Sequence, residues 1–300
     1  MQNPSCVSSS AAPRPCHAGA RLIRRLRSAT NSLACRVACG LGVALLIPPA
    51  IAAIAADTDA LAAQIASPHR AESNRARDAY RHPLGTLEFF GLRDDQTVVE
   101  IWPGGSAWWT EILAPYEHAR GRYIAAIPPE QGASEEALKG NRSFADKLAS
   151  DPARYGKVQL ARFPAQDIVP AGSADVVLSF RNLHNWLTTN SADEAFASFY
   201  RALKHGGTLG LEDHRARLDE PADAQLKKGY VREEEAVRLA EKAGFRLVAR
   251  STVNDNPKDT KDYAEGVWTL PPTYRLKAED RARYSAIGES DRFTLKFVKP

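Results

Sequence analysis

Hydrophobic and polar positions alternate between two periods along most of the chain. Continuous apolar runs of strand length occur at TVVEIW (97–102), GRYIAAI (121–127), KVQLARF (157–163) and SADVVLSF (173–180). Further runs follow at GGTLGLEDH (206–214), GFRLVARS (244–251) and RFTLKFV (292–298). Between them lie segments with the 3.6-residue spacing of amphipathic helices: 110–119, 134–149, 192–204 and 232–243. Strands alternating with helices of this length predict an α/β domain built on an open, mostly parallel sheet. Residues 252–275, polar and proline-containing, predict an irregular excursion before the last strand. In such sheets ligands bind beyond the carboxyl ends of the strands, where strand order reverses, so candidate residues follow strands directly.

The N-terminal third reads differently. Residues 57–80 are Ala-rich and polar, with Arg81-His82-Pro83 as a helix stop, and predict a helical lead-in over 57–82 ahead of a body over 83–300. Residues 1–56 hold six arginines and no acid, then an apolar run from Gly40 to Ala56 ending in small residues. That is the pattern of an export leader cleaved near Ala55/Ala56, which places the mature protein in the periplasm or outside the cell. The apolar run is broken by Pro48-Pro49 and falls short of the roughly 20 residues of a membrane span, so no stable span is expected once the leader is removed.

Charge changes meaning once the leader is set aside. The whole chain carries +4, but six of its 40 basic residues and none of its 36 acidic ones lie in 1–56, leaving the remainder at −2. A nucleic-acid-binding surface therefore loses its compositional support. All four cysteines, Cys6, Cys16, Cys35 and Cys39, also lie in the leader. The body has no thiol for a disulfide, a zinc site or a nucleophile.

Three places after strands carry candidate chemistry. Glu100-Ile101-Trp102-Pro103-Gly104-Gly105-Ser106 follows the first strong strand and precedes a helix, where glycines admit a ligand to backbone N–H groups. Phe180-Arg181-Asn182-Leu183-His184-Asn185-Trp186 ends the fourth strand, and His184 is suited to proton removal near neutral pH. Glu212-Asp213-His214 ends the fifth, so His184 and His214 can share a crevice. Strand alternation puts Glu212 and His214 on one face and Asp213 on the other, which ranks a metal site below a general base. Arg77, Asp78, Arg81 and His82 read as a solvated helix face, with a lid as the alternative.

These segments, with Pro170-Ala171-Gly172-Ser173-Ala174-Asp175 and Leu203-Lys204-His205-Gly206-Gly207, resemble the class I S-adenosylmethionine-dependent methyltransferases. VVEIWPGGSAWWTEILAPY with FRNLHNW is similar to a bacterial group of predicted methyltransferases carrying export signals. The resemblance covers roughly 80–300 and implies a Rossmann-like seven-stranded sheet with helices on both faces, in the order 3-2-1-4-5-7-6 with the last pair antiparallel. It implies a cofactor site at Glu100, Trp102, Gly104, Gly105, Ser106, Asp167 and Arg181, and catalytic or substrate-facing roles for Asn182, His184 and His214.

The chain departs from that pattern at named positions. Trp102 and Ser106 replace the first and third loop glycines, and Ile127 replaces the acid expected to hold ribose hydroxyls, with Glu130 as a substitute further on. An indole face attracts a sulfonium by ~0.5–2 kcal/mol. Trp108 and Trp109 read as core. No aromatic-Pro-Pro sequence follows the fourth strand, so amide methylation lacks support. Two functions remain: a methyltransferase acting on a small molecule, or an exported binding protein that keeps the fold with an altered loop. A metal-assisted enzyme using the two histidines is a weaker third.

Overall fold

The computed structural model describes the backbone of residues 49–300 and the side chains of 57–300. The segment read above as an export leader, residues 1–56, lies almost wholly outside these residues. The first helix, Pro49–Ala66, runs across the position where the leader would be cleaved. Among the described residues no helix is long and apolar enough to cross a membrane.

Seven strands form one sheet: β1 (Thr97–Ile101), β2 (Arg122–Ile127), β3 (Gln159–Arg162), β4 (Ala174–Phe180), β5 (Leu203–His214), β6 (Arg246–Ser251) and β7 (Arg292–Val298). Their spatial order is β3-β2-β1-β4-β5-β7-β6, and β7 runs antiparallel to both neighbours. This is the topology that the resemblance implied. β1 and β4 are buried on both faces because helices cover both, which is why they read as unbroken apolar runs.

The two faces separate by parity. Val99, Ile101 and Val177 join a layer with Phe196, Phe199 and Leu239. Val98, Val176 and Leu178 join the opposite layer with Leu87, Phe90 and Ile112. Glu100 shares the parity of Val98 and so enters the second layer, a costly place for a carboxylate unless it is bonded.

Order reverses between β1 and β4, with Ile101 paired to Ser179 and Phe180 to Glu212. The carboxyl ends of three strands therefore open onto one crevice. The lead-in closes over it. His82, at φ 41°, ends the helix Asp78–Arg81, and Pro83 starts the next helix, Pro83–Phe90. The excursion is irregular as expected apart from a 3₁₀ turn at Gly266–Thr269, yet it buries Tyr263 and Leu270.

At the opposite end of the sheet, Glu117 is buried with neither carboxylate oxygen bonded among the described residues, and burial raises its pKa to about 9. A carboxyl raised in the folded state loses stability as pH climbs from the unfolded value of 4.5 toward 9, because only the unfolded chain ionises freely there. Glu117→Gln removes that penalty. The variant should exceed the parent in stability by an amount that grows from pH 5 to pH 9 at up to about 1.4 kcal/mol per pH unit.

Candidate active site

The loop leaving β1 sets the first wall. The Trp102 N–H donates to Ala126 O at 2.9 Å, carrying the β1–β2 ladder one residue further. Trp102 itself sits at φ 49°, a left-handed conformation natural to the glycine it replaces and strained for an indole-bearing residue. Side-chain contacts hold it there. Its Nε1–H donates to Phe163 O at 2.8 Å, and its ring meets Phe163 and Trp186 edge-on at 5.9 and 5.6 Å. The indole is thus drawn against the β3 side of the crevice, where it lines the cavity.

The other loop positions divide. Gly104, at φ 73°, faces open space, so nothing but its missing side chain keeps the backbone accessible. A Cβ on Gly105 would lie 3.1 Å from Ser143 Cβ, so this glycine serves close packing on the helix Glu135–Ser150 and does not line the cavity. Ser106 lines it, and its carbonyl accepts from Asn74 Nδ2 at 3.0 Å.

Glu100 is buried and lines the same cavity. Its Oε2 accepts from the Tyr123 hydroxyl and, at 3.3 Å, from Thr110 Oγ1. Burial nonetheless pushes its pKa up to about 7, against which those two hydrogen bonds and the charge of Arg81 work.

The second wall comes from β4 and β5. Asn182 donates Nδ2–H to Ile101 O at 2.9 Å, tying the end of β4 to that of β1. His184 opens toward Asp213, its Nδ1 lying 3.0 Å from Oδ1. A carboxylate only accepts, so the proton sits on Nδ1 and leaves Nε2 as a lone-pair acceptor. Asp213 also takes the backbone N–H of His184 at 3.3 Å and of His214 at 2.7 Å. This corrects the expectation from strand alternation that Asp213 points away: at the strand's last turn its carboxylate folds back over its own backbone.

His214 completes the group, with Nδ1 2.6 Å from Ser290 Oγ and its ring centroid 5.3 Å from that of His184. Burial, then the neighbouring His184 once protonated and the charge of Arg181, keep its pKa well below the ordinary imidazole value. It is neutral at physiological pH. One ligand atom from each of His184, Asp213 and His214 lies within 4.8 Å of the others, a set able to hold a divalent ion.

The third wall is cationic and was not expected. Arg81 is buried, not solvated, because Glu289 receives it: Nε to Oε2 is 3.1 Å. Arg77 reaches Oε1 of the same carboxylate at 2.6 Å, while Arg292 and Arg181 approach Oε2 at 3.3 and 3.8 Å. Asp78 turns outward to pair with Arg70, and His82 is exposed. Trp108 and Trp109 are buried as expected. Trp108 donates to Asn74 O at 2.8 Å and carries the Arg81 guanidinium 4.6 Å above its ring, and Trp109 stacks on Phe180 at 4.1 Å.

These walls enclose about 350 Å³, within the range of small-molecule sites, running from Gly104 past Arg181 to His184, His214 and Trp268. Asp167 is not part of it. It lies on the surface with Arg201 at 3.6 Å, because the segment after β3 turns it outward. Glu130 is likewise exposed, facing Arg162 at 3.5 Å, and Ile127 is buried in the apolar layer. Glu289 and Ser290 are cavity groups that sequence reasoning missed; Arg81, read as a solvated face with a lid as the alternative, lines the cavity, and Asp213 stands behind it against His184.

Residues 109–211 match the family model of a methyltransferase domain. A structure of an S-adenosylmethionine-dependent methyltransferase from Aquifex aeolicus is similar at a TM-score of 0.50 and 15% identity, covering 81% of this chain and 99% of that one. This is the methyltransferase fold. An S-adenosylmethionine-dependent methyltransferase from Mesorhizobium loti is similar at a TM-score of 0.45 and 13% identity, covering 72% of this chain and 96% of that one. No curated protein matches the chain. In the methyltransferase sheet, the cavity lies at the carboxyl ends of β1, β4 and β5.

Proposed function

We propose that this protein is an S-adenosylmethionine-dependent methyltransferase acting on a small molecule, with His184 as general base. The observation that carries this reading is a single cavity joining the open backbone of Gly104 to the His184–Asp213 pair. The residues present fit the cofactor's amino acid end: Gly104 leaves its backbone open to the cavity, and the buried Glu100 lines the same cavity. Glu100, Trp102, Gly104 and Ser106 would hold it, and what it supplies is an electrophilic methyl carbon. The face of Trp102 is a wall suited to a sulfonium.

The protein's own part is alignment and proton removal. His184 Nε2 takes the acceptor's proton. Asp213 holds the ring in the required tautomer and stabilises the imidazolium that results. His214, kept neutral by burial and flanking cations, adds a hydrogen-bonding group without a competing charge. Trp109, Phe180 and Trp268 narrow the access of water.

One observation favours the alternative of a non-catalytic binding protein: no residue of the β2 end lines the cavity, so no acid stands ready for ribose. Calorimetry separates the two. S-adenosylhomocysteine should bind with roughly micromolar affinity, weakening at least about tenfold in Trp102→Ala and in Glu100→Ala. Absence of heat at high protein concentration would give the site to another ligand.

We also read residues 1–56 as an export leader, on their arginines, apolar run and small-residue end. Mass spectrometry of the protein from fractionated cells should find a mature N-terminus close to Ala56. A product beginning at Met1 in the cytoplasm contradicts export.

A further inference from the structure

Among the described residues, three guanidinium nitrogens on the cavity wall are buried without a hydrogen-bond partner: Arg77 Nη2, Arg81 Nη2 and Arg181 Nε. The carboxylate they surround, Glu289, is already shared with Arg292, whose Nε also lies 2.8 Å from Glu212 Oε1. Four guanidinia thus face two carboxylates. Buried donors left unmet are costly, and an excess of buried cations more so, unless a ligand completes them.

The position of the cluster says which ligand. It is carried by Arg181 after β4, by Glu289, the residue preceding Ser290, and by Arg77 and Arg81 of the lead-in, which line the same cavity as the two histidines, and by none of the loop 102–106. Ser290 Oγ is 2.6 Å from His214 Nδ1, so Glu289 is one residue from the partner of His214, whose ring centroid lies 5.3 Å from that of His184.

We propose that the arginine wall binds an oxyanion of the methyl acceptor, so that the substrate is a small acid carrying a carboxylate or phosphate beside the group to be methylated. Planar guanidinia match both oxyanions through paired N–H donors. The assignment rests on the methyltransferase reading for the word acceptor, but the anion site stands on its own geometry. Glu289 spaces the arginines and leaves their outer N–H groups to the ligand, while His184 reaches the neighbouring nucleophile.

Inorganic phosphate titrated calorimetrically into the full chain is the test, with and without saturating S-adenosylhomocysteine. Phosphate should bind in both cases with affinities within about twofold of each other. Arg77→Gln, at a guanidinium less buried than that of Arg81 and outside the residues assigned to the cofactor, should weaken phosphate at least about tenfold while leaving adenosylhomocysteine unchanged. Glu289→Gln, if it retains a cooperative thermal transition, should tighten phosphate.

Two results overturn the proposal. If adenosylhomocysteine displaces phosphate and 5′-methylthioadenosine, which lacks the amino acid, does not, the wall holds the cofactor's own carboxylate. If the wild-type chain binds no phosphate, water satisfies the donors. Failure of adenosylhomocysteine to bind strikes the cofactor reading instead and leaves the phosphate measurement intact.

Discussion

Glu289→Ala is expected to lower the stability of the protein by about 3–5 kcal/mol, the usual cost of stranding buried charges by removing their partner. Burial alone would raise this carboxyl, but Arg81, Arg181, Arg292 and Arg77 together hold it well below the usual carboxylate range. Their approaches, from 2.6 to 3.8 Å, join the lead-in, β4 and β7 through one side chain. A carboxyl depressed in the folded state contributes stability above its unfolded pKa of 4.5 and loses it as pH falls through the folded value. The parent should therefore weaken steadily below about pH 4.5, and the gap between parent and variant should narrow with it. Urea denaturation across pH 3–7 measures both. A loss under about 1 kcal/mol at pH 7 would show that water, not Glu289, neutralises the arginines.

His184→Ala is expected to slow methyl transfer by about 10²–10⁴-fold, the range that a positioned general base supplies. Adenosylhomocysteine affinity should stay within about twofold of the parent, since the ring acts on the acceptor's proton. Asp213→Asn should slow transfer by a comparable factor, because an amide donating to Nδ1 moves the ring proton to Nε2 and supplies no charge to stabilise the protonated form. The readout is adenosylhomocysteine formed from S-adenosylmethionine with a metabolite extract as the acceptor source. Equal turnover in parent and His184→Ala would remove the base from the reaction.

Much of the fold was legible because its signal is local. β1 and β4 are mostly apolar since both their faces are covered, and β7 was placed at its observed bounds by the alternation of Phe293, Leu295 and Phe297. Where local signals were weak the reading fell short. The helix Leu183–Thr188 has six residues and no side-chain cap, and it went unseen inside FRNLHNW. β5 begins at Leu203, ahead of the Gly206-Gly207 pair that had marked its start.

The site was legible in proportion to sequence proximity and strand adjacency. His184 and His214 were placed on one crevice because β4 and β5 are neighbours, His184 lying just beyond the end of β4 and His214 being the last residue of β5. Arg81 was misjudged because its burial depends on Glu289, a residue 208 positions away that no periodicity announces. Asp213 was misjudged for a different reason: alternation holds along a regular strand and fails at its last residues, where a side chain can turn back to cap backbone N–H groups. Trp102 in place of a glycine was visible at once. That its ring is held aside by Phe163 and Trp186 required the packing of a strand and a helix remote in the chain.

The central claim, that the cavity between Gly104 and His184 receives the cofactor, is tested most directly by a crystal structure of the protein with S-adenosylhomocysteine. The account predicts the ligand with its amino acid part over Gly104, its sulfur against Trp102 and its open side toward His184. Ligand density elsewhere, or a cavity between these residues left empty at saturating adenosylhomocysteine, would contradict it.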